Sequence, residues 1–175
     1  MLQVANLPET LKIKEHIQLF QSYYPHPMDY QQVISYAGLQ DIQNRYSKKL
    51  SGGEKQRVQL ARVLAQIWEH CEGDASTDGI LLLDEPSAAF DLAHQLMLID
   101  IVRQISTRGV TVVMVMHDLN LAAKCADQMV FMNCGHCTAV GTVTELLTPE
   151  LIHKVFSVDA EVITHPVQGT PMVVV

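Results

Sequence analysis

Leu50-Ser51-Gly52-Gly53-Glu54 and, further along, Ile80-Leu81-Leu82-Leu83-Asp84-Glu85-Pro86 decide how the rest of this 175-residue chain is read. The second string is a strand-length apolar run that ends in two adjacent carboxylates. The first is a tight glycine turn leading straight into Lys55-Gln56-Arg57-Val58-Gln59-Leu60-Ala61-Arg62-Val63-Leu64-Ala65. That stretch is amphipathic at helical spacing, with Val58, Leu60, Ala61, Leu64 and Ala65 on the side expected to be buried.

Each string has a chemistry that needs its residue types. A parallel strand delivers its C-terminal end to the sheet edge where open α/β folds bind nucleotides. Asp84 at that edge is a hard oxygen ligand suited to Mg2+, which keeps much of its water shell. Glu85, one residue on, is expected on the other side of the chain, where it can take a proton from an attacking water. Ser51 reads as a helix N-cap that leaves the N–H groups of Gly52, Gly53 and Glu54 unpaired and outward. A helix start of that kind attracts anions, and glycine lets a phosphate approach the backbone. An acidic strand cap before Pro86 and an ordinary Gly-Gly turn are the plain alternatives.

In this order and spacing the strings resemble the signature sequence and Walker B strand of the ABC (ATP-binding cassette) ATPases. The resemblance implies a P-loop NTPase fold of the α/β class with a small helical subdomain, and ATP and Mg2+ as cofactors. It implies that Asp84 serves the metal and Glu85 is the catalytic base. In that family the signature closes over the γ-phosphate of ATP held by a second subunit, so Ser51, Gly52, Gly53 and Glu54 would bind nucleotide across a homodimer. Ser87-Ala88-Ala89-Phe90-Asp91 is similar to the family's D-loop, with Ala88 in place of serine and Phe90 in place of leucine. Asp91 would act there, and also as N-cap of a helix from Leu92 to about Thr107. Val110-Thr111-Val112-Val113-Met114-Val115-Met116 reads as a buried strand. His117 after it matches the switch histidine that contacts the γ-phosphate. Asp118 reads as the N-cap of the next helix.

None of the nine glycines is followed by lysine, so the sequence carries no Gly-x-x-x-x-Gly-Lys-Ser/Thr loop. Met1-Leu2-Gln3 resembles the strand end before the family's Q-loop. Gln3 would then sense Mg2+ and face the membrane subunit. The expectation is a chain that begins in mid-domain and lacks the Walker A portion. Residues 1–50 would hold the Q-loop and helical subdomain. Residues 51–175 would hold the signature helix and the C-terminal part of the ATPase core.

Leu50 to Ala65 and the tail from Leu147-Thr148-Pro149-Glu150 onward resemble the ATPases of iron-complex importers, the haem type nearest, with siderophore and cobalamin importers as neighbours. The segment from Asn6-Leu7-Pro8-Glu9-Thr10 to Tyr46-Ser47-Lys48-Lys49 looks more like ATPases of drug- or antibiotic-type exporters. Two functions stand. One is the ATP-hydrolysing subunit of a transporter, dimeric beneath permease subunits, on the inner face of the cell membrane and served indirectly by a substrate-binding protein. The other is a catalytically incompetent fragment that acts by interaction.

Composition agrees. Hydrophobic residues make up 48% and charged residues 18%, as expected of a packed α/β protein. The apolar runs are strand-sized, so no membrane span is expected. A net charge of −7 argues against a nucleic-acid partner. The four cysteines show no disulfide framework and suit a reducing cytoplasm. Cys134-Gly135-His136-Cys137 matches the C-x-x-C pattern of oxidoreductases, but its flanks read as strand, turn, strand, which favours a hairpin tip over redox or metal chemistry. Pro8 to Lys49 reads as mostly helical, broken at Pro25 and Pro27, and Glu69 to Gly79 as a surface loop. Beyond Gly141, two short helices and a final strand pair around Pro166–Pro171 are expected.

Overall fold

The computed structural model describes residues 8–72, 79–88 and 90–175. The chain forms two compact units, Met1–Met116 and His117–Val175.

The first unit opens with helices α1 (Ile13–Gln21) and α2 (Tyr30–Tyr36), then a single 3-10 turn at Ser47–Lys49. Asp29 starts α2 by accepting the Gln31 N–H at 2.9 Å. The long helix α3 (Gly52–Glu72) follows. Its apolar stripe is the expected one: Val58, Leu60, Ala61, Leu64 and Ala65 are all buried. Ile13 and Ile17 of α1, together with Val33 and Ile34 of α2, complete that packing. The expected surface loop from Glu69 to Gly79 is corrected at its start, because α3 continues to Glu72, and residues 73–78 lie outside the described residues. A polar stretch such as 69–72 suits a helix end as well as it suits a loop.

Arg62 comes to lie on the buried side with the apolar residues, 6% exposed. Its guanidinium lies 3.9 Å from the Phe20 ring centroid, and the His16 ring packs against the same ring at 5.3 Å, tilted by 57°. His16 is 2% exposed, and both ring nitrogens lack a hydrogen bond. Burial, with the Arg62 charge adding to it, pushes the His16 pKa down to about 4. The imidazole is therefore held neutral.

Strand β1 (Ile80–Asp84), helix α4 (Leu92–Ser106) and strand β2 (Thr111–Val115) make one β-α-β unit. The strands run parallel, with Ile80 opposite Thr111 and Asp84 opposite Val115. Leu81 and Leu83 enter the same core as α3 and α4. The opposite face carries Ile80, Leu82, Val113 and Val115, which are 65%, 51%, 49% and 53% exposed. Parallel strands are normally covered on both faces, and this sequence is apolar on both. Among the described residues only one face is covered.

The second unit holds α5 (Leu119–Cys125), the hairpin β3 (Met129–Asn133) and β4 (His136–Gly141), α6 (Val143–Leu146), α7 (Pro149–Phe156) and the pair β5 (Glu161–Thr164) and β6 (Pro171–Val174). Asp118 caps α5 through the Leu121 N–H, as expected. The β3–β4 turn is Cys134-Gly135, both at positive φ, 49° and 78°. That is the geometry a two-residue hairpin needs. Thr142 and Glu145 form a capping box at α6. Asn120 clamps β6 with both ends of its amide, accepting the Val173 N–H at 2.7 Å and donating to the Val173 carbonyl at 2.9 Å.

Candidate functional site

The glycine turn becomes the first turn of α3. The Ser51 N–H donates to Glu54 Oε2 at 2.7 Å, and the Glu54 N–H donates to Ser51 Oγ at 3.3 Å. This reciprocal pair is a capping box. It corrects one detail of the sequence reading: the Glu54 N–H is taken by Ser51, which leaves Gly52 and Gly53 as the residues whose amides stand at the open helix start. The Ser51 amide also holds the Glu54 carboxyl below its usual range, with Arg45 assisting. Arg45 Nη1 lies 2.7 Å from Glu54 Oε1, and its Nη2 donates to the Lys49 carbonyl at 3.0 Å. Sequence reasoning missed Arg45, because nothing local links two residues nine apart across a turn.

Asp84 ends β1 and is exposed. Glu85 follows at φ 45°, a left-handed conformation that costs a non-glycine residue about 1 kcal/mol. Its N–H donates to the Val115 carbonyl at 3.0 Å, so the ladder is pinned one residue past the strand. A strained residue fixed by the sheet directly after an exposed carboxylate is the kind of local cost that functional sites retain. Two acidic groups are thereby presented at the carboxyl end of a parallel strand, a donor set suited to a hard divalent cation beside a proton acceptor.

Asp91 is the N-cap of α4, accepting the His94 N–H at 2.9 Å, and His94 Nδ1 lies 2.6 Å from the same oxygen. The His94 backbone donor, then its ring, lower the Asp91 pKa. His94 was not foreseen, although a histidine three residues after an N-cap aspartate is a signal the sequence contains. His117 is exposed and begins the second unit. Gln3 lies outside the described residues. The structure therefore brings Ser51 to Glu54 into one turn and sets Asp84 beside Glu85. Among the described residues no cluster of three or more His, Cys, Asp or Glu side chains is arranged to hold a metal.

A parallel β-α-β unit, carboxylates at its strand end and a capped glycine turn opening a helix fit the ATP-binding-cassette class. The chain belongs to the ABC transporter family, whose pattern matches residues 2–88. It is 45% identical over 82% of its length to the hemin import ATP-binding protein of Gloeobacter violaceus, covering 51% of that protein. It is 40% identical over 83% of its length to the hemin import ATP-binding protein of Hahella chejuensis, covering 56% of it. The chain thus spans about half the length of the curated relatives it matches. Among solved structures, a metal-chelate type ABC transporter in an inward-facing conformation superposes with a TM-score of 0.69 at 22% identity, over 96% of this chain and 66% of that one. The dimeric bacterial ABC transporter cassette MJ0796 superposes at 0.64 with 25% identity, over 82% of this chain and 61% of that one.

Proposed function

We propose that this chain supplies the signature, Walker B and switch elements of an ATPase subunit that energises import of haem or another iron complex. The observation that carries this is the β1 terminus, where Glu85 is locked by the Val115 carbonyl directly after the exposed Asp84. In that role Asp84, with Gln3, would hold Mg2+, and Glu85 accepts the proton of the attacking water. Mg2+ bound there would neutralise charge on the phosphates. His117 contacts the γ-phosphate, and Asp91 lies at the interface of two ATPase subunits. In the turn that Ser51 and Glu54 close, Gly52 and Gly53 meet the nucleotide of the second subunit with helix-start amides. The subunit works as a homodimer beneath permease subunits at the inner membrane face, with a substrate-binding protein upstream. No helix among the described residues is long and apolar enough to cross a membrane. The hemin-import names of its relatives support haem as cargo.

A second reading, an incompetent cassette, is favoured by one observation: the D-loop-like stretch carries Ala88 in place of serine and Phe90 in place of leucine. The two are separated by joining residues 50–175 to the phosphate-loop half of a hemin-import relative and assaying ATP in membranes with its permease. Haem-stimulated turnover is expected. A folded hybrid that binds ATP and does not turn it over would overturn the first reading in favour of the second.

A further inference from the structure

Glu54 raises an electrostatic difficulty. A carboxylate in the first helical turn suits the helix dipole, but it places a negative charge beside the amides that are to meet a phosphate. The capping box itself does not need that charge, since glutamine serves equally well at this position. What a glutamate does need is a fixed counter-charge, and the structure contains one. Arg45 spans from Glu54 Oε1 at 2.7 Å to the Lys49 carbonyl at 3.0 Å. Its backbone is held on both sides, by the Ile42 carbonyl at 2.8 Å and the Ile13 N–H at 3.1 Å. The guanidinium is therefore aimed from an anchored main chain. The Glu54 side chain is 17% exposed and Arg45 is 44% exposed. A partly exposed pair of this kind contributes little to stability, so its larger effect is on local charge.

We propose that Arg45 is a positioning residue for the signature turn: it pins the Glu54 carboxylate against the Ser51 amide and cancels its charge. A phosphate then meets Gly52 and Gly53 instead of an uncompensated anion. This rests on the reading of that turn as a nucleotide contact.

The test uses the full 15N-labelled chain, with tripolyphosphate as the probe and the Gly52 and Gly53 amide signals as the readout. Arg45→Ala is expected to weaken binding about threefold to fivefold, the range of a single charge at a helix end. R45A/E54Q is expected to recover to near the parent, because the charge needing compensation is gone. Weak binding that Glu54→Gln fails to rescue would overturn the proposal and leave Arg45 a structural residue. Should R45A disturb the fold, E54Q alone decides: it must bind at least as tightly as the parent, and weaker binding overturns the proposal. Parent signals that do not move with tripolyphosphate would sink the nucleotide-contact reading itself. A failed rescue with a responsive parent sinks only the role of Arg45.

Discussion

The first turn of α3 and the open end of the β1–β2 pair are the two chemically loaded places in this chain, and they are built differently. The turn is finished. Its serine, glutamate and arginine satisfy one another within about ten residues of sequence, and its helix is buried on α1 and α2. The strand end has its carboxylates in place on a sheet with one apolar face in solvent. An anion-binding helix start is a local structure that short-range hydrogen bonds can complete. The metal site proposed at the strand end depends on neighbours that the described residues do not supply.

The sharpest way to test the strand-end half of that contrast is Glu85→Gln in the hybrid described above. Hydrolysis is expected to fall by about a hundredfold or more, the range of a lost general base, while ATP affinity stays unchanged. Single-turnover hydrolysis and nucleotide trapping on the same sample separate the two. Turnover comparable to the parent would remove Glu85 from the base role.

The open face is tested on the chain alone. Leu82→Thr with Val113→Thr should shift sedimentation from associated species toward monomer, because a contiguous exposed apolar face associates to leave water. A parent already monomeric at the concentrations used would show that the face is tolerated in water. Little stability should be lost, since these side chains are already half exposed.

The finished half carries its own weakness at His16. Its folded-state pKa of about 4 lies below the ordinary 6.5, so the unfolded chain binds the proton more readily between those values. Stability of the α1–α3 packing is therefore intact near neutral pH and is lost as pH falls from 6.5 toward 4. The expected loss between pH 7 and pH 5 is about 2 kcal/mol. Amide exchange in α1 at the two pH values measures it, and His16→Leu should flatten the dependence. An unchanged slope would mean that His16 is solvated.

The smallest effect is expected far from both places. Cys134→Ser with Cys137→Ser should change stability by under about 0.5 kcal/mol, as surface substitutions do. Both thiols are free and exposed on the β3–β4 hairpin. A lost metal or disulfide-exchange activity would contradict the hairpin reading. Cys134→Asn should stabilise slightly, since asparagine tolerates the φ of 49° better.

Sequence by itself determined the elements whose signals are short-range. Asp91 and Asp118 cap the helices they precede, the buried stripe of α3 follows its period, and β3 and β4 form the hairpin that the flanks of the C-x-x-C stretch announce. The signature and Walker B strings carried the family for the same reason: each is a local backbone shape with a chemical purpose. Only the tertiary structure decided the rest. Periodicity cannot say which face of a doubly apolar strand is covered, because that depends on what packs there. Nor could it show that Arg62 would be buried against Phe20, or that Arg45 would reach Glu54, since both depend on where the chain brings distant residues together. The helical course of α3 to Glu72 belongs there too, for a polar helix end and a polar loop have the same composition and differ only in hydrogen bonds.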